Sequence, residues 1–396
     1  MTARLIFICH ASTDAVRRSA FPADEPLDGI GKREAAALAG SVPSADQIWS
    51  SPELRARETA QALGLKAAVE PALRDCDYGK WSGQSFDDVS AREPDAVATW
   101  LHDPAAAPHG GESLLGVWCD PSFEFIRGDI RDRMTVRAAV SGQDAVVHLA
   151  AVVGDPACAR QPDLARETNL DASLALIEES QRAGVGRFIF ASTCSNYGKM
   201  KEANQYVDED SELSPVSLYA ETKVVVEQTL LGSYRNNGWC PTPLRFSTVY
   251  GVSPRMRFDL TVNEFTMELL TKKHLKVFGE QFWRPYIHVL DVARAIQLVL
   301  NSPPAAVGSC VFNVGATDQN FQKQQLVELI RPYAPDALVE FVHKDEDPRD
   351  YRVSFARITS QLGFKTTRTV AQGVGEVARL VQENVIGNFG DGKYHN

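Results

Sequence analysis

No two cysteines in this chain stand in C-x-x-C spacing, and no histidines stand as H-x-H or H-E-x-x-H. No apolar run approaches the length of a membrane span. Each absence excludes something. The seven cysteines (9, 76, 119, 158, 194, 240 and 310) are odd in number and widely scattered, which suits reduced thiols rather than a disulfide framework or a zinc site. The eight histidines offer no ligand spacing, so no metal is expected. The N-terminal apolar run Leu5-Ile6-Phe7-Ile8-Cys9 is too short for a signal-peptide core, so a cytoplasmic protein without a membrane partner is expected. Excess positive charge is missing too. Forty-one Lys and Arg against 51 Asp and Glu leave a formal charge of −10, which argues against binding nucleic acid or an anionic membrane. An anionic substrate would then need a locally basic pocket.

What is present is ordinary globular composition: 44% hydrophobic and 23% charged residues over 396 positions, enough for two or three domains or one large α/β domain with a smaller companion. The run at 5–9 reads as a buried parallel strand feeding a loop. Helical windows at 32–38 and 53–63 flank a strand at 47–50, a βαβα rhythm. Further on, 123–130, 145–151 and 187–191 read as strands, with helical windows at 134–140 and 172–183 between them. That alternation predicts a doubly wound parallel sheet, Rossmann-like, with a smaller C-terminal companion region.

Three segments near the N-terminus carry a first resemblance. They are His10, then Ser51-Pro52-Glu53-Leu54-Arg55-Ala56-Arg57-Glu58-Thr59-Ala60, then Asp75-Cys76-Asp77-Tyr78-Gly79-Lys80-Trp81-Ser82-Gly83. Together they resemble the histidine phosphatase (phosphoglycerate-mutase-like) superfamily. The resemblance implies that His10 is the nucleophile, that Arg55 holds the phosphate and that Asp75 donates a proton. The chemistry is coherent: a neutral imidazole attacks phosphorus while guanidinium groups neutralise the charge that builds up. Two parts are missing. Cys9-His10-Ala11 stands where the family has Arg-His-Gly, and the strand that carries the family's second histidine has no counterpart after Glu112. His148 is a tempting substitute, but Val146-Val147-His148-Leu149-Ala150-Ala151 reads better as a sheet strand. Residues 1–113 therefore read as a partial phosphatase-like α/β unit retained as packing mass, with a working phosphatase as an alternative.

Residues 114–396 carry a second resemblance. Ser217 can cap a helix opened after Pro215, and on that helix Tyr219 and Lys223 share one face at i,i+4 spacing. A nearby ammonium is expected to lower the phenol's pKa by Coulomb attraction. Upstream, Ala191-Ser192-Thr193-Cys194-Ser195-Asn196-Tyr197-Gly198 ends a buried strand in a row of hydroxyls. With Gly128-Asp129-Ile130, Thr168-Asn169, Leu244-Arg245-Phe246, Arg284-Pro285-Tyr286 and Phe312-Asn313-Val314-Gly315, this resembles the extended short-chain dehydrogenases, the NAD-dependent epimerase/dehydratase family of nucleotide-sugar enzymes. The resemblance implies NAD as cofactor, with NADP left open, and a nucleotide-sugar substrate. Thr193, Tyr219 and Lys223 would be catalytic. Asp129, Ile130, Leu149, Ala150, Ala151, Asn169 and Lys223 would line the cofactor. Ser195, Thr248, Arg257 and Arg284 would meet the substrate. A homodimer is left open.

Cys194 and Ser195 stand where the family's dehydratases carry an Asp-Glu pair, so elimination of water is disfavoured against epimerisation or ketone reduction. The Gly-rich turn that lets backbone N–H groups approach a pyrophosphate is also missing, since no G-x-x-G-x-x-G occurs. Gly373-Val374-Gly375-Glu376-Val377-Ala378 matches G-x-G-x-x-A, but inside a helical pattern. A whole βαβ unit is absent, and Gly110-Gly111-Glu112-Ser113 reads as the fusion point. Either the strands at 5–9 and 47–50 fill the vacant sheet positions, or the chain is a crippled, non-catalytic fusion.

Overall fold

The computed structural model describes residues 8–103, 105–113, 116, 124–199, 205–234, 238–253, 255–347, 349–383, 389–390 and 394. It divides into two compact units, Met1–Arg127 and Gly128–Asn396.

In the first unit, strand β1 (Trp49–Ser50) pairs in parallel with β2 (Ala68–Val69), shorter than the strand expected over 47–50. Of the strand expected over 5–9, only Ile8 and Cys9 lie within the described residues, and they carry no strand. Helices Gly29–Ala37 and Leu54–Ala62 fall where the sequence places them. The core is aromatic: Phe21, Trp81, Val89 and Val97 are buried, with Tyr78, Phe86 and Trp100 packed against them. The Gly110–Glu112 stretch folds back onto this unit, where the Glu112 N–H donates to the Asp77 carbonyl at 2.8 Å. A Cβ on Gly111 would come within 2.0 Å of that oxygen, so close backbone approach explains the glycine.

The second unit is built on a parallel sheet of order β3–β4–β5–β9, comprising β3 (Ala145–His148), β4 (Arg187–Thr193), β5 (Cys240–Phe246) and β9 (Phe312–Val314). β4 and β5 are buried along nearly their whole length, as central strands of a parallel sheet should be. Pro241 and Pro243 are tolerated in β5 because β9 pairs with it only from Leu244 onward, so both prolines precede that ladder. Three further strands form a mixed sheet of order β10–β8–β6: β6 (Thr248–Tyr250), β8 (Trp283–His288) and β10 (Asn320–Gln322). Strand β11 (Leu338–Val342) lies parallel to β7 (His274–Phe278). One cluster around Phe188, Phe190, Val226 and Leu230 packs helices Ala172–Arg182 and Leu218–Ser233 on the main sheet.

Two expectations need correction. Phe123 lies outside the described residues, and 124–129 form no strand; Phe125 and Ile126 remain exposed. The β-prone sequence has no described strand to pair with, and β-propensity expresses itself only on a paired, half-buried surface. Nor do β1 and β2 extend the main sheet: they pair with each other, and among the described residues β3 pairs with β4 alone. The Gly373/Gly375 pair lies inside helix Val370–Gln382, as its context suggested. A Cβ on Gly373 would sit 2.3 Å from the Tyr250 ring, so this glycine serves helix packing.

Candidate active site

The C-terminal end of β4 and the first turns of helix Leu218–Ser233 carry three of the expected residues, Thr193, Tyr219 and Lys223. Thr193 ends β4, and its hydroxyl accepts the Ser195 N–H at 3.1 Å, which turns the chain into a short 3₁₀ segment, Cys194–Tyr197. Ser217 caps the helix by accepting the Ala220 N–H at 3.3 Å, and it donates to Asp155 at 2.7 Å. Tyr219 and Lys223 follow on adjacent turns. The Lys223 ammonium is buried, lies 5.8 Å from the Tyr219 ring centroid and 4.6 Å from that of Phe190, and donates to the Ala191 carbonyl at 2.8 Å.

Electrostatics correct one expectation. Burial pushes the Tyr219 phenol above its ordinary value, aided by Cys158 and Asp155, while Arg257 pulls the other way. Burial also draws Lys223 down, to about 8. Loss of water is the largest cause for both groups, so in this state Tyr219 is a phenol and a proton donor.

The expected cofactor residues are less gathered. Asp129 holds Arg131 at 2.7 Å, and that partnership lowers its pKa to about 2. Ile130 packs on the cluster under the sheet. Leu149 and Ala150 are exposed, and Ala151 is half-buried. Asn169 is buried, and its amide closes on the Val152 backbone at 2.7 and 2.9 Å, fixing the loop after β3. His148 lies on β3 and donates to Ser173 at 2.8 Å; burial depresses it to about 3 and keeps it neutral.

Of the residues expected to meet the substrate, Thr248 begins β6, and Ser195 Oγ lies 3.4 Å from the Tyr351 hydroxyl. Arg257 is paired with Asp259 at 2.7 Å. Arg284 is only 9% exposed; it holds Asp347 at 2.8 Å and donates to the Trp283 carbonyl and to that of Arg349. Cys194 points into the core, its thiol 3.2 Å from the Arg245 carbonyl and its pKa raised by burial. Tyr351, Asp347 and the Arg349–Asp155 pair at 2.8 Å were not read from the sequence. Their partners lie far away along the chain, and no local spacing signals them.

In the first unit, Arg55 is buried and bonded to Asp75 at 2.6 Å and to the Ala23 carbonyl at 2.7 Å. His10 is half-buried, with Nδ1 2.9 Å from the Ala11 carbonyl.

Residues 88–315 match the NAD dependent epimerase/dehydratase family over more than half of the chain. The chain belongs to that family. Residues 5–118 match the histidine phosphatase superfamily (branch 1), so this epimerase/dehydratase-family member is a two-part chimera. A dTDP-glucose 4,6-dehydratase of Streptomyces niveus is 30% identical over 268 residues, covering 66% of this chain and 77% of the relative. A UDP-glucose 4-epimerase of Streptomyces lividans is 24% identical over 261 residues, covering 62% and 78%. The solved structure of a dTDP-glucose 4,6-dehydratase from Streptomyces venezuelae, with NAD bound, superposes with a TM-score of 0.60 at 25% identity, covering 69% of this chain and 85% of that one. Among the described residues no helix is long and apolar enough to cross a membrane, and no group of three or more His, Cys, Asp or Glu side chains could hold a metal ion.

Proposed function

We propose that residues 114–396 carry out NAD-dependent epimerisation or ketone reduction on a nucleotide sugar, NADP remaining open as the cofactor. The observation that carries this reading is that Lys223, one turn from Tyr219 on the same helix, donates to the Ala191 carbonyl of β4, the strand that ends at Thr193. Thr193 orients the reacting hydroxyl or carbonyl oxygen. Tyr219 Oη gives that oxygen a proton in the reducing direction and takes it back in the oxidising one, and the Lys223 charge stabilises the phenolate form. The cofactor, when bound, accepts or returns the hydride. Dehydration is disfavoured, because the Cys194 thiol points away into the core and Ser195 is no strong proton carrier. The names of the relatives, dTDP-glucose 4,6-dehydratase and UDP-glucose 4-epimerase, support a nucleotide hexose as substrate.

The residues present fit one end of the cofactor. Lys223 and Tyr219 suit the nicotinamide ribose, but among the described residues no glycine turn after a strand offers backbone N–H groups to a pyrophosphate. That gap, with β3 pairing only with β4 among the described residues, favours a second reading, an epimerase fold whose cofactor affinity is weakened or lost. Losing three charge-assisted bonds at ~1.5–3 kcal/mol each would cost several kcal/mol of binding. Turnover of UDP- and dTDP-hexoses with added NAD, followed by product chromatography, tests the first reading. Replacing Tyr219 with Phe should lower the rate by at least ~10²-fold. Equal rates in the two proteins would sink it.

A further inference from the structure

Below the Thr193 turn lies a buried ionic network that the proposed chemistry does not itself use. Glu227 is on the same helix as Tyr219 and Lys223, at the next i,i+4 step, and is 1% exposed. Arg245, from β5, is 3% exposed and donates to Glu227 through Nε at 3.2 Å and Nη2 at 2.5 Å. Both ends of the hydroxyl turn are tied to this pair. Ser192 donates to Glu227 at 2.6 Å, and Asn196 donates to Ser192 at 3.1 Å. At the far end, Arg245 donates to the Tyr197 hydroxyl at 2.8 Å, and that hydroxyl donates to Asn313 of β9 at 2.7 Å.

Fold stability alone does not call for such a pair. An apolar pair of similar volume in the core is often as stabilising as a buried ion pair, because two charges must be stripped of water. An ionic pair with directional hydroxyl and amide partners fixes relative position, which close packing of apolar groups does less sharply. The turn held here carries Thr193 and Ser195, and the helix held here carries Tyr219 and Lys223.

We propose that Glu227 is a positioning residue which, through Arg245, sets the Thr193 turn against the helix bearing Tyr219. The proposal rests on the functional reading above, yet one of its tests does not. In protein labelled with ¹³C at threonine methyls, the Thr193 signal is identified by its loss in T193S. Glu227→Gln should shift or broaden that signal. Val374→Ala, a core truncation in another cluster of the second unit, should leave it in place at a matched loss of Tm. Arg245→Lys, which keeps the charge but not the fork, should move it in the same direction, and it decides the matter if the Gln variant does not fold.

Where the wild type turns over a nucleotide hexose, the Glu227→Gln variant should lose kcat roughly 10- to 100-fold with KM within twofold, the pattern of an interaction felt mainly in the transition state. No turnover by the wild type would remove the functional reading while the methyl signal still decides the positioning. An unmoved Thr193 signal in the folded variants, or a change confined to Tm, would overturn the proposal.

Discussion

The Arg55 guanidinium donates to the Asp75 carboxylate across 2.6 Å, so the two residues that the phosphatase resemblance assigns to phosphate and proton neutralise one another. Arg55 is otherwise held by the Ala23 carbonyl and lies 3.9 Å from Glu25. A phosphomonoester would have to displace its own neighbours from the cation, without help from an arginine at Cys9 or from a second histidine. Each lost stabiliser typically costs on the order of 10²–10³ in rate. Incubation with a phosphomonoester should therefore leave no acid-labile phosphate on His10. A labelled phosphoenzyme that disappears in H10A would make phosphoryl transfer the leading function of the first unit.

Arg284, proposed to meet the substrate, presents the same situation, with Asp347 as its partner at 2.8 Å. A nucleoside diphosphate reaching this guanidinium competes with a carboxylate already in place. Replacing Asp347 with Asn removes the competitor and leaves the local charge one unit more positive. UDP should bind roughly three- to tenfold more tightly to D347N at low ionic strength, and the gain should shrink as salt screens it. Calorimetric titration at two salt concentrations measures both. Unchanged affinity would mean that Arg284 does not face the diphosphate.

His148 makes the stability of the second unit pH-dependent. Its pKa falls to about 3 when buried, against an ordinary value of 6.5. Between those values the unfolded chain binds a proton that the folded chain does not, so stability falls as pH drops through 6.5 towards 3. From pH 6.5 to pH 5 this one group removes about 2 kcal/mol. H148Q, which keeps a donor for Ser173, should lose less stability over that interval by about that amount in urea titrations. Parallel pH curves for the two proteins would contradict the buried, neutral assignment.

Gly373 tests whether the G-x-G-x-x-A stretch has anything to do with a dinucleotide. Its missing Cβ leaves room for the Tyr250 ring, which would lie 2.3 Å away. Gly373→Ala should therefore cost about 1–3 kcal/mol of stability through overpacking. It should leave any NAD affinity of the folded protein unchanged, which fluorescence titration can measure.

Much of this arrangement was legible because it is local. The Ser217 cap, the i,i+4 spacing of Tyr219 and Lys223 and the hydroxyl row after a buried strand are set within a few residues of one another, and the structure reproduces all three. What escaped the sequence depends on distant partners. Arg284 reads as a fork for phosphate, and only the fold brings Asp347 onto it. Glu221 and Glu227 look alike as charges on one helix, yet Glu221 is exposed and Glu227 is buried against Arg245. The segment 124–130 has the composition of a strand, but composition does not say whether a neighbouring strand exists to pair with it. The expected lowering of the Tyr219 pKa failed for a related reason: the spacing shows a nearby ammonium, whereas the loss of water that raises the pKa depends on what the fold packs around the phenol.

The deciding question is whether this chain still holds a nicotinamide cofactor beside Tyr219. Native mass spectrometry of the 396-residue chain, freshly purified and then titrated with NAD, addresses that directly. The expected result is one NAD per chain, with binding weakened in a Lys223→Ala variant that lacks the ammonium proposed to meet the ribose. No NAD adduct at millimolar cofactor, in protein shown to be folded, would contradict it and leave the non-catalytic fusion as the reading that stands.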